Sequence, residues 1–256
     1  MKMCLFFFCL IGMTAPKVSA QDAASGPPPG PLVVTRMPDQ AQWTINITYA
    51  NPLKPGTISP QVAYYQQQAK IDPMVAKQMQ NPAFVAALDP ARPVHFLVTK
   101  TGTTWHIEED MDRGQHIEEW RTAQVTAVKE PGVDKFNVVL FDNTGRVDFP
   151  EFYWITAGDY SGPGNDGGQK TLIFKAQVDP SMIHNPGVRG GETVPGEAHV
   201  DLKTRYPVSL QFADETWRYT YQPSPTTDLE LPAEISAVWK NAQVQLQRLV
   251  PTPSNR

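Results

Sequence analysis

The chain is nearly free of cysteine, and both of its cysteines lie close to the N-terminus. Cys4 and Cys9 are the only two among 256 residues, and both fall in a segment that we predict to be removed. The remaining protein then has no disulfide, no thiolate metal site and no cysteine nucleophile. Its roughly 236 residues can bury a sufficient hydrophobic core without such cross-links.

The sequence also lacks the common signatures of catalysis. It contains no His-Glu-x-x-His pair, no phosphate-binding loop and no dinucleotide fingerprint. Ser161 lies in Gly-Asp-Tyr-Ser-Gly, which is not the Gly-x-Ser-x-Gly nucleophile elbow. His95, His184 and His199 each stand alone in the sequence. We therefore predict no catalytic residue and no cofactor.

No stretch of the chain is rich in basic residues. The whole chain has 22 basic and 26 acidic residues. Removing Lys2 and Lys17 with a leader leaves 20 basic against 26 acidic residues, a formal charge of −6. An acidic protein without a basic cluster has no electrostatic surface for nucleic acid or anionic lipid. We therefore predict no nucleic-acid partner.

The first twenty residues have the layout of a secretory signal peptide. Lys2 supplies a positive start, residues 4–13 form an apolar run, and Val18-Ser19-Ala20 is a small-residue exit. The run is about ten residues long, too short to cross a hydrocarbon core of about 30 Å as a permanent helix. We predict a signal peptide over residues 1–20, with cleavage after Ala20 and no retained transmembrane segment. The product is then an exported protein, periplasmic or secreted, of a bacterial envelope.

Proline and glycine divide the rest of the chain. Residues 21–41 contain Gly26-Pro27-Pro28-Pro29-Gly30-Pro31, which predicts a disordered, proline-rich linker. Residues 42–250 are predicted to form one globular domain, because their length favours a single domain. Residues 251–256 are predicted to be a tail.

Two hydrophobic periods occur within the predicted domain. Residues 43–49 alternate apolar and polar side chains like a half-buried strand, and similar segments separated by short turns follow Pro93. Prolines at 60, 73 and 82 mark three short helices, which predicts a helical insertion over residues 59–88. Residues 231–249 carry a helical apolar stripe. We predict an α+β fold, a single curved antiparallel β-sheet of half-barrel shape with helices on one face.

A near-repeat in the sequence predicts a hairpin. Trp105-His106-Ile107-Glu108-Glu109 and His116-Ile117-Glu118-Glu119-Trp120 flank a turn at residues 111–114. A four-residue turn pairs Trp105 with Trp120 and His106 with Glu119. Under that register one face carries Trp105, Ile107 and Trp120, and the other carries His106, Glu108 and Glu119.

The polar face of this hairpin has two interpretations. An imidazole and carboxylates on one strand face are ligands that a divalent metal could use, so His106, Glu108 and Glu119 are candidate metal ligands. The simpler interpretation is a solvated face whose cross-strand pair adds a few tenths of a kcal/mol. We favour the second, because the local sequence supplies no outer groups to orient metal ligands. No metal is predicted.

The C-terminal third of the sequence carries a resemblance to known families. Residues 198–210 form a strand, a tight turn and a return strand, and Trp217-Arg218-Tyr219-Thr220-Tyr221 adds another strand. This ending resembles the closing hairpins of LolA-like and LppX-like envelope proteins, which carry lipids or lipoproteins. The resemblance implies a strongly bent antiparallel sheet around an apolar cavity. The chain also resembles exported bacterial proteins whose role is not established.

The apolar strand residues define the first functional hypothesis. If the concave face of the sheet is incompletely filled, it binds a hydrophobic ligand such as a lipid or acyl chain, without catalysis. The candidate lining residues are Trp43, Ile45, Ile47, Trp105, Ile107 and Trp120. If these side chains pack tightly against the helices, they form only the core.

Two alternative functions stay open from the sequence. An exported hydrolase or metal-dependent enzyme would have its site on the face of His106 and Glu119. A structural or partner-binding envelope protein would use the proline-rich linker, with another envelope protein as its partner.

Overall fold

The computed structural model describes residues 26–54, 56–58, 60–88, 92–184, 191–223 and 228–249. The predicted signal peptide, the tail at 251–256 and residue 59 lie outside these ranges. Across the described ranges, no helix combines the length and apolar character needed to span a membrane.

Eleven strands make up one sheet in the described part of the chain. The strands are β1 (Gln40–Tyr49), β2 (Pro93–Thr101), β3 (Thr104–Met111), β4 (His116–Arg121), β5 (Val125–Lys129), β6 (Asn137–Leu140), β7 (Tyr160–Asp166), β8 (Gln169–Val178), β9 (Val194–Asp201), β10 (Pro207–Phe212) and β11 (Glu215–Gln222). Their order is β6-β5-β4-β3-β2-β1-β11-β10-β9-β8-β7. Every neighbouring pair is antiparallel.

Strand β1 lies at the centre of this order and joins two meanders. It pairs with β2 on one side and with β11 on the other. The remaining neighbours are consecutive in sequence, as short turns between strands require. The sheet stays open, because β6 and β7 at its two ends do not pair with each other. The predicted fold class, an α+β fold with a single antiparallel sheet, is confirmed.

One face of the sheet, here called the inner face, carries the main hydrophobic core. Trp43, Ile45 and Ile47 of β1 point to it, and they share one buried cluster with Ile107 of β3 and Phe174 of β8. Eleven strands about 4.8 Å apart would form a flat sheet roughly 50 Å wide. A single cluster that reaches from β3 to β8 shows that one continuous core covers most of this face.

Residues 146–159, which include two short 3₁₀ turns, fill much of the inner face. Phe149 and Phe152 are almost fully buried there. The ring of Phe149 lies 5.3 Å from that of Trp43 and meets Tyr219 edge-on at 6.0 Å. This aromatic packing anchors the segment across β1 and β11.

The predicted disordered linker is wrong for the part that the structure describes. Leu32, Val33 and Val34 pack against the core, and Met37 is buried in it. The backbone N–H of Val34 donates a hydrogen bond to the carbonyl of Arg205 at 2.8 Å. The proline run dominates the local composition, but four apolar residues follow it and gain free energy by burial against the sheet.

The helical insertion contains three short helices, as predicted. They are α1 (Pro60–Gln68), α2 (Pro73–Gln78) and α3 (Pro82–Leu88). Asp72 caps α2, because its carboxylate accepts a hydrogen bond from the backbone N–H of Met74 at 2.8 Å. Each helix begins at a proline, which lacks the N–H that the first turn would leave unpaired.

The last two helices lie on opposite faces of the sheet. Ile183 of α4 (Pro180–His184) belongs to the inner core. By contrast, Ile235 and Ala242 of α5 (Ala233–Leu249) are buried in a second cluster on the outer face, with Trp120, Val125 and Ala127. The prediction of helices on one face is therefore wrong. Because the outer side of β4 and β5 is apolar, α5 packs against it and removes it from water.

A glycine in edge strand β7 allows a close approach to β8. A Cβ atom on Gly164 would lie 2.5 Å from Cδ1 of Ile173. We therefore expect Gly164→Ala to lower the free energy of unfolding by about 1–3 kcal/mol through overpacking. Gly158→Ala is the matched control, because its Cβ would meet nothing closer than 3.7 Å. Urea unfolding measures both; equal midpoints would contradict the expectation.

Candidate functional site

The inner face contains a cavity of about 400 Å³ beside residues 146–151. Strands β1, β2 and β11 supply an apolar wall that includes Trp43, Ile45, Phe96 and Trp217. The opposite side is charged. Its ionisable side chains are Glu109, Glu119, Arg121, Arg146, Asp148 and Glu151. We call these two sides the apolar wall and the charged end.

The six predicted lining residues separate into three groups. Trp43, Ile45, Trp105 and Ile107 border the cavity. Ile47 is buried in the inner core away from it, and Trp120 lies on the outer face beneath α5.

The predicted register of the β3–β4 hairpin is wrong by one residue. Trp105 pairs with Arg121, His106 with Trp120, and Ile107 with Glu119. The turn is one residue shorter than predicted: Met111 N–H donates to the carbonyl of Gln115 at 2.8 Å, which leaves the three residues Asp112–Gly114 between them. Arg113 and Gly114 both adopt positive φ angles, 67° and 70°, within this turn. The change of one residue in register places every β4 side chain on the opposite face from that expected.

The register separates the candidate metal ligands. His106 lies on the outer face, stacked on Trp120 at 4.1 Å and hydrogen-bonded to Glu118 at 2.9 Å. Glu108 Oε1 is 3.8 Å from His106 Nδ1, whereas Glu119 points into the cavity on the inner face. Within the described ranges, no three His, Cys, Asp or Glu side chains form a group that could hold a metal ion.

The same register brings Glu119 and Arg121 into the cavity as an ion pair. Arg121 Nη2 donates to Glu119 Oε2 at 2.7 Å, and the Nε atom contacts Oε1. Glu109 is the diagonal neighbour of Glu119 on the inner face. Burial, with a smaller contribution from the negative Glu119, raises the pKa of Glu109 to about 7. Among the described residues, the Glu109 side chain makes no hydrogen bond or salt bridge.

Glu151 is a further carboxyl group at the charged end, and it is buried. It lies in the 3₁₀ turn Pro150–Phe152 and is 6% exposed. Tyr219 donates its hydroxyl hydrogen bond to Glu151 Oε1 at 2.7 Å. Burial raises the pKa of Glu151 to about 7, although this hydrogen bond acts in the opposite direction.

Asp148 ties the charged end to the N-terminal segment. Its carboxylate accepts hydrogen bonds from the indole N–H of Trp105 at 2.8 Å and from the backbone N–H of Met37 at 2.6 Å. The Nζ atom of buried Lys100 lies 3.8 Å from the same carboxylate and donates to the Met37 carbonyl at 2.7 Å. Because the hydrogen bonds of Asp148 and Lys100 are all made within the protein, we interpret this pair as stabilising the fold and not as binding a ligand.

Two polar groups at the cavity are less completely satisfied. The indole N–H of Trp43 is buried and has no hydrogen-bond partner among the described residues. Arg146 Nη1 makes a long contact of 3.4 Å to Asn143 Oδ1. No carboxylate within the described ranges forms a salt bridge with this guanidinium.

Sequence reasoning did not find the charged end. Glu119 and Arg121 reach the cavity only in the observed register, and residues 146–151 have no hydrophobic period that would predict an element. Glu109 shares the face of Trp105 and Ile107 in either register, but a lone acidic residue there gave no signal of a site. One usable signal exists in Asp148-Phe149-Pro150-Glu151-Phe152. Acidic residues alternate there with aromatic ones, which is unusual for a solvated loop.

Comparisons with known proteins add little beyond the fold. No protein-family model matches the sequence, and curated proteins yield no match either. The solved structure of the Mycobacterium tuberculosis lipoprotein LppX matches with 9% identity and a TM-score of 0.38, covering 75% of this chain and 88% of LppX. LprF from Mycobacterium bovis matches with 11% identity and a TM-score of 0.34, covering 75% and 89%. Such values assign neither a family nor a function.

Proposed function

We propose that the protein is an exported, non-catalytic protein that binds one hydrophobic small molecule in the inner-face cavity. The observation that carries the proposal is the cavity itself. Its volume of about 400 Å³ lies in the range of small-molecule sites, which are mostly apolar with a few placed polar groups. The predicted leader supports export.

The apolar wall suits the non-polar part of such a ligand. Trp43, Phe96 and Trp217 border the cavity with aromatic rings. Ile45 in the wall and Ile107 of β3 beside it add branched side chains. Burying apolar ligand surface against them contributes about 25 cal/mol for each Å² removed from water. The modest volume favours a single chain or ring system over a lipid with several long chains.

An exported hydrolase is the second candidate function. Its active site would lie in the inner-face cavity and not on the face of His106 and Glu119 that the sequence suggested. Glu109 and Glu151 line one cavity, and each has its pKa raised to about 7 by burial. General acids at neutral pH have such values. Turnover of chromogenic ester or glycoside substrates, abolished in both Glu109→Gln and Glu151→Gln, would favour this candidate over simple binding.

Filling the cavity tests the binding proposal. We expect Ile107→Trp to weaken binding of the neutral probe N-phenyl-1-naphthylamine at least tenfold, because the larger ring occupies the space beside the apolar wall. Ile71→Trp is the matched control, since Ile71 is 77% exposed on the helical insertion. Fluorescence titration measures both, and native mass spectrometry of the wild type reports any co-purifying ligand.

Equal affinity in the two variants would place the probe outside the cavity. A wild type that binds neither probe nor co-purifying ligand would contradict the proposal. Because Ile107→Trp could disturb folding, Val98→Phe provides a second, smaller filling of the same cavity, and thermal melting identifies variants that remain folded.

A further inference from the structure

Arg146 is a cavity-lining cation with no carboxylate partner among the described residues. Its guanidinium makes only the long contact to Asn143 Oδ1 at 3.4 Å within that part of the chain. Burial, together with the nearby positive Arg121, lowers the pKa of Arg146, and the smaller attraction of Glu119 offsets this only in part. The net environment disfavours the charged guanidinium, so an added negative group beside it would be stabilised. The planar guanidinium matches a carboxylate with two parallel hydrogen bonds.

The other cationic groups near the cavity already have partners. Arg121 forms the bidentate pair with Glu119. Lys100 lies against Asp148 and two backbone carbonyl groups. His184 borders the cavity and is hydrogen-bonded to Glu215 at 3.0 Å. Within the described ranges, Arg146 is therefore the cavity cation available to a ligand.

A second donor at the cavity points to the same ligand chemistry. Trp43 is 1% exposed, borders the cavity, and its indole N–H has no partner among the described residues. A buried donor left without an acceptor destabilises the folded protein. A ligand oxygen would remove that cost, which a purely hydrocarbon ligand could not do.

We infer that the ligand is an amphiphile with a small anionic head group, such as a carboxylate, which Arg146 binds while the apolar part lies against Trp43, Phe96 and Trp217. This inference rests on the proposed function and specifies the chemical class of its ligand. The indole N–H of Trp43 is the second donor available to an oxygen of the same ligand.

The acidic groups of the charged end determine how such binding depends on pH. Glu119 and Asp148 are already paired with Arg121 and Lys100. Glu109 and Glu151 have their pKa values raised to about 7, so they repel an anion above pH 7 and become neutral donors below it. Affinity for an anionic head therefore increases as pH falls from about 8 to about 5.5, provided that the head group stays ionised.

Three ligands that share the same alkyl chain and differ only in the head group test the inference. Dodecanoate, dodecanol and dodecylammonium are titrated into the protein at pH 7, with displacement of N-phenyl-1-naphthylamine as the readout. We expect dodecanoate to bind most tightly. Arg146→Gln should weaken dodecanoate roughly ten- to hundredfold and leave dodecanol unchanged. Arg248→Gln, which removes an exposed cation near the end of α5, should change neither affinity.

The outcomes separate this inference from the proposed function. If dodecanoate and dodecanol bind equally and Arg146→Gln has no effect, the inference of an anionic head group is wrong, but the proposed binding function still holds. Preference for dodecylammonium overturns it in favour of a cation held by Glu109 and Glu151. Binding of none of the three, together with no probe binding, overturns both. Trp43→Phe removes the indole donor together with part of the ring, so the donor is tested by a several-fold larger loss of affinity for dodecanoate than for dodecanol.

Discussion

Replacing Asp148 with asparagine is expected to lower the free energy of unfolding by about 3–5 kcal/mol. The carboxylate is fully buried and faces Lys100 at 3.8 Å. It also accepts hydrogen bonds from Trp105 and Met37. An amide keeps the shape but removes the negative charge, which leaves the Lys100 ammonium buried without a compensating anion.

A double-mutant cycle tests whether the charge pair causes this loss. Asp148→Asn, Lys100→Met and the double variant are unfolded in urea, and we expect the double variant to lose at least about 1 kcal/mol less than the sum of the single changes. Asp142→Asn is the control, because that exposed carboxylate accepts only from Thr144 nearby in the chain. Similar midpoints for Asp148→Asn and Asp142→Asn would contradict the buried-pair account.

The protein is expected to be most stable near pH 5 and to lose stability as the pH rises toward 8. Burial raises the pKa of Glu109 and of Glu151 from 4.5 to about 7. Between these values the folded state holds more protons than the unfolded state, so stability decreases with rising pH. Each group contributes a decrease of about 3 kcal/mol across this window.

Other carboxylates act in the opposite direction and at lower pH. Hydrogen bonds from Lys175 and His199 lower the pKa of Glu197. At Glu118 and Asp166, partial burial acts to raise the pKa. Hydrogen bonds from their partners outweigh it, so the pKa of each is still lowered. A lowered carboxyl pKa gives stability that is present above about pH 4.5 and lost as the pH falls. The two opposing windows meet near pH 5, which produces the maximum.

Glutamine variants isolate the groups responsible. Glu109→Gln and Glu151→Gln should each flatten the decline between pH 5 and 8 and raise stability at pH 8, since a neutral amide avoids the cost of burying charge. In Glu151→Gln the new amide oxygen would still accept the hydrogen bond from Tyr219. Glu118→Gln is the matched control and should leave the decline unchanged. Unfolding midpoints that rise from pH 5 to 8 in the wild type would contradict this assignment.

Much of the fold could be predicted because its signals are local. Alternation over residues 43–49 predicts β1, proline at 60, 73 and 82 predicts the three insertion helices, and the apolar stripe over 231–249 predicts α5. Strand β7 could not be predicted this way. Its Gly162-Pro163-Gly164 run disfavours a strand, yet the segment pairs with β8, where Gly164 leaves room for the side chain of Ile173.

The candidate site was predicted only in part, and the reason is the β3–β4 turn. Its positive φ angles at Arg113 and Gly114 allow a three-residue turn, one residue shorter than the predicted turn. That single residue moves Trp120 to the outer face and Glu119 into the cavity. Side chains alternate along a strand, so the identity of a site on a strand depends on a turn that composition alone does not specify.

The sequence by itself determined a thiol-free β-rich domain, its central strand, its helices and several side chains that border the cavity. Those features depend on local composition and on periods of two or 3.6 residues. Only the tertiary structure decided that residues 32–37 belong to the domain, that α5 covers the outer face, and that Glu109, Arg146 and Glu151 meet in one cavity. These contacts join residues far apart in the chain, and burial is a property of the assembled sheet, which no local pattern contains.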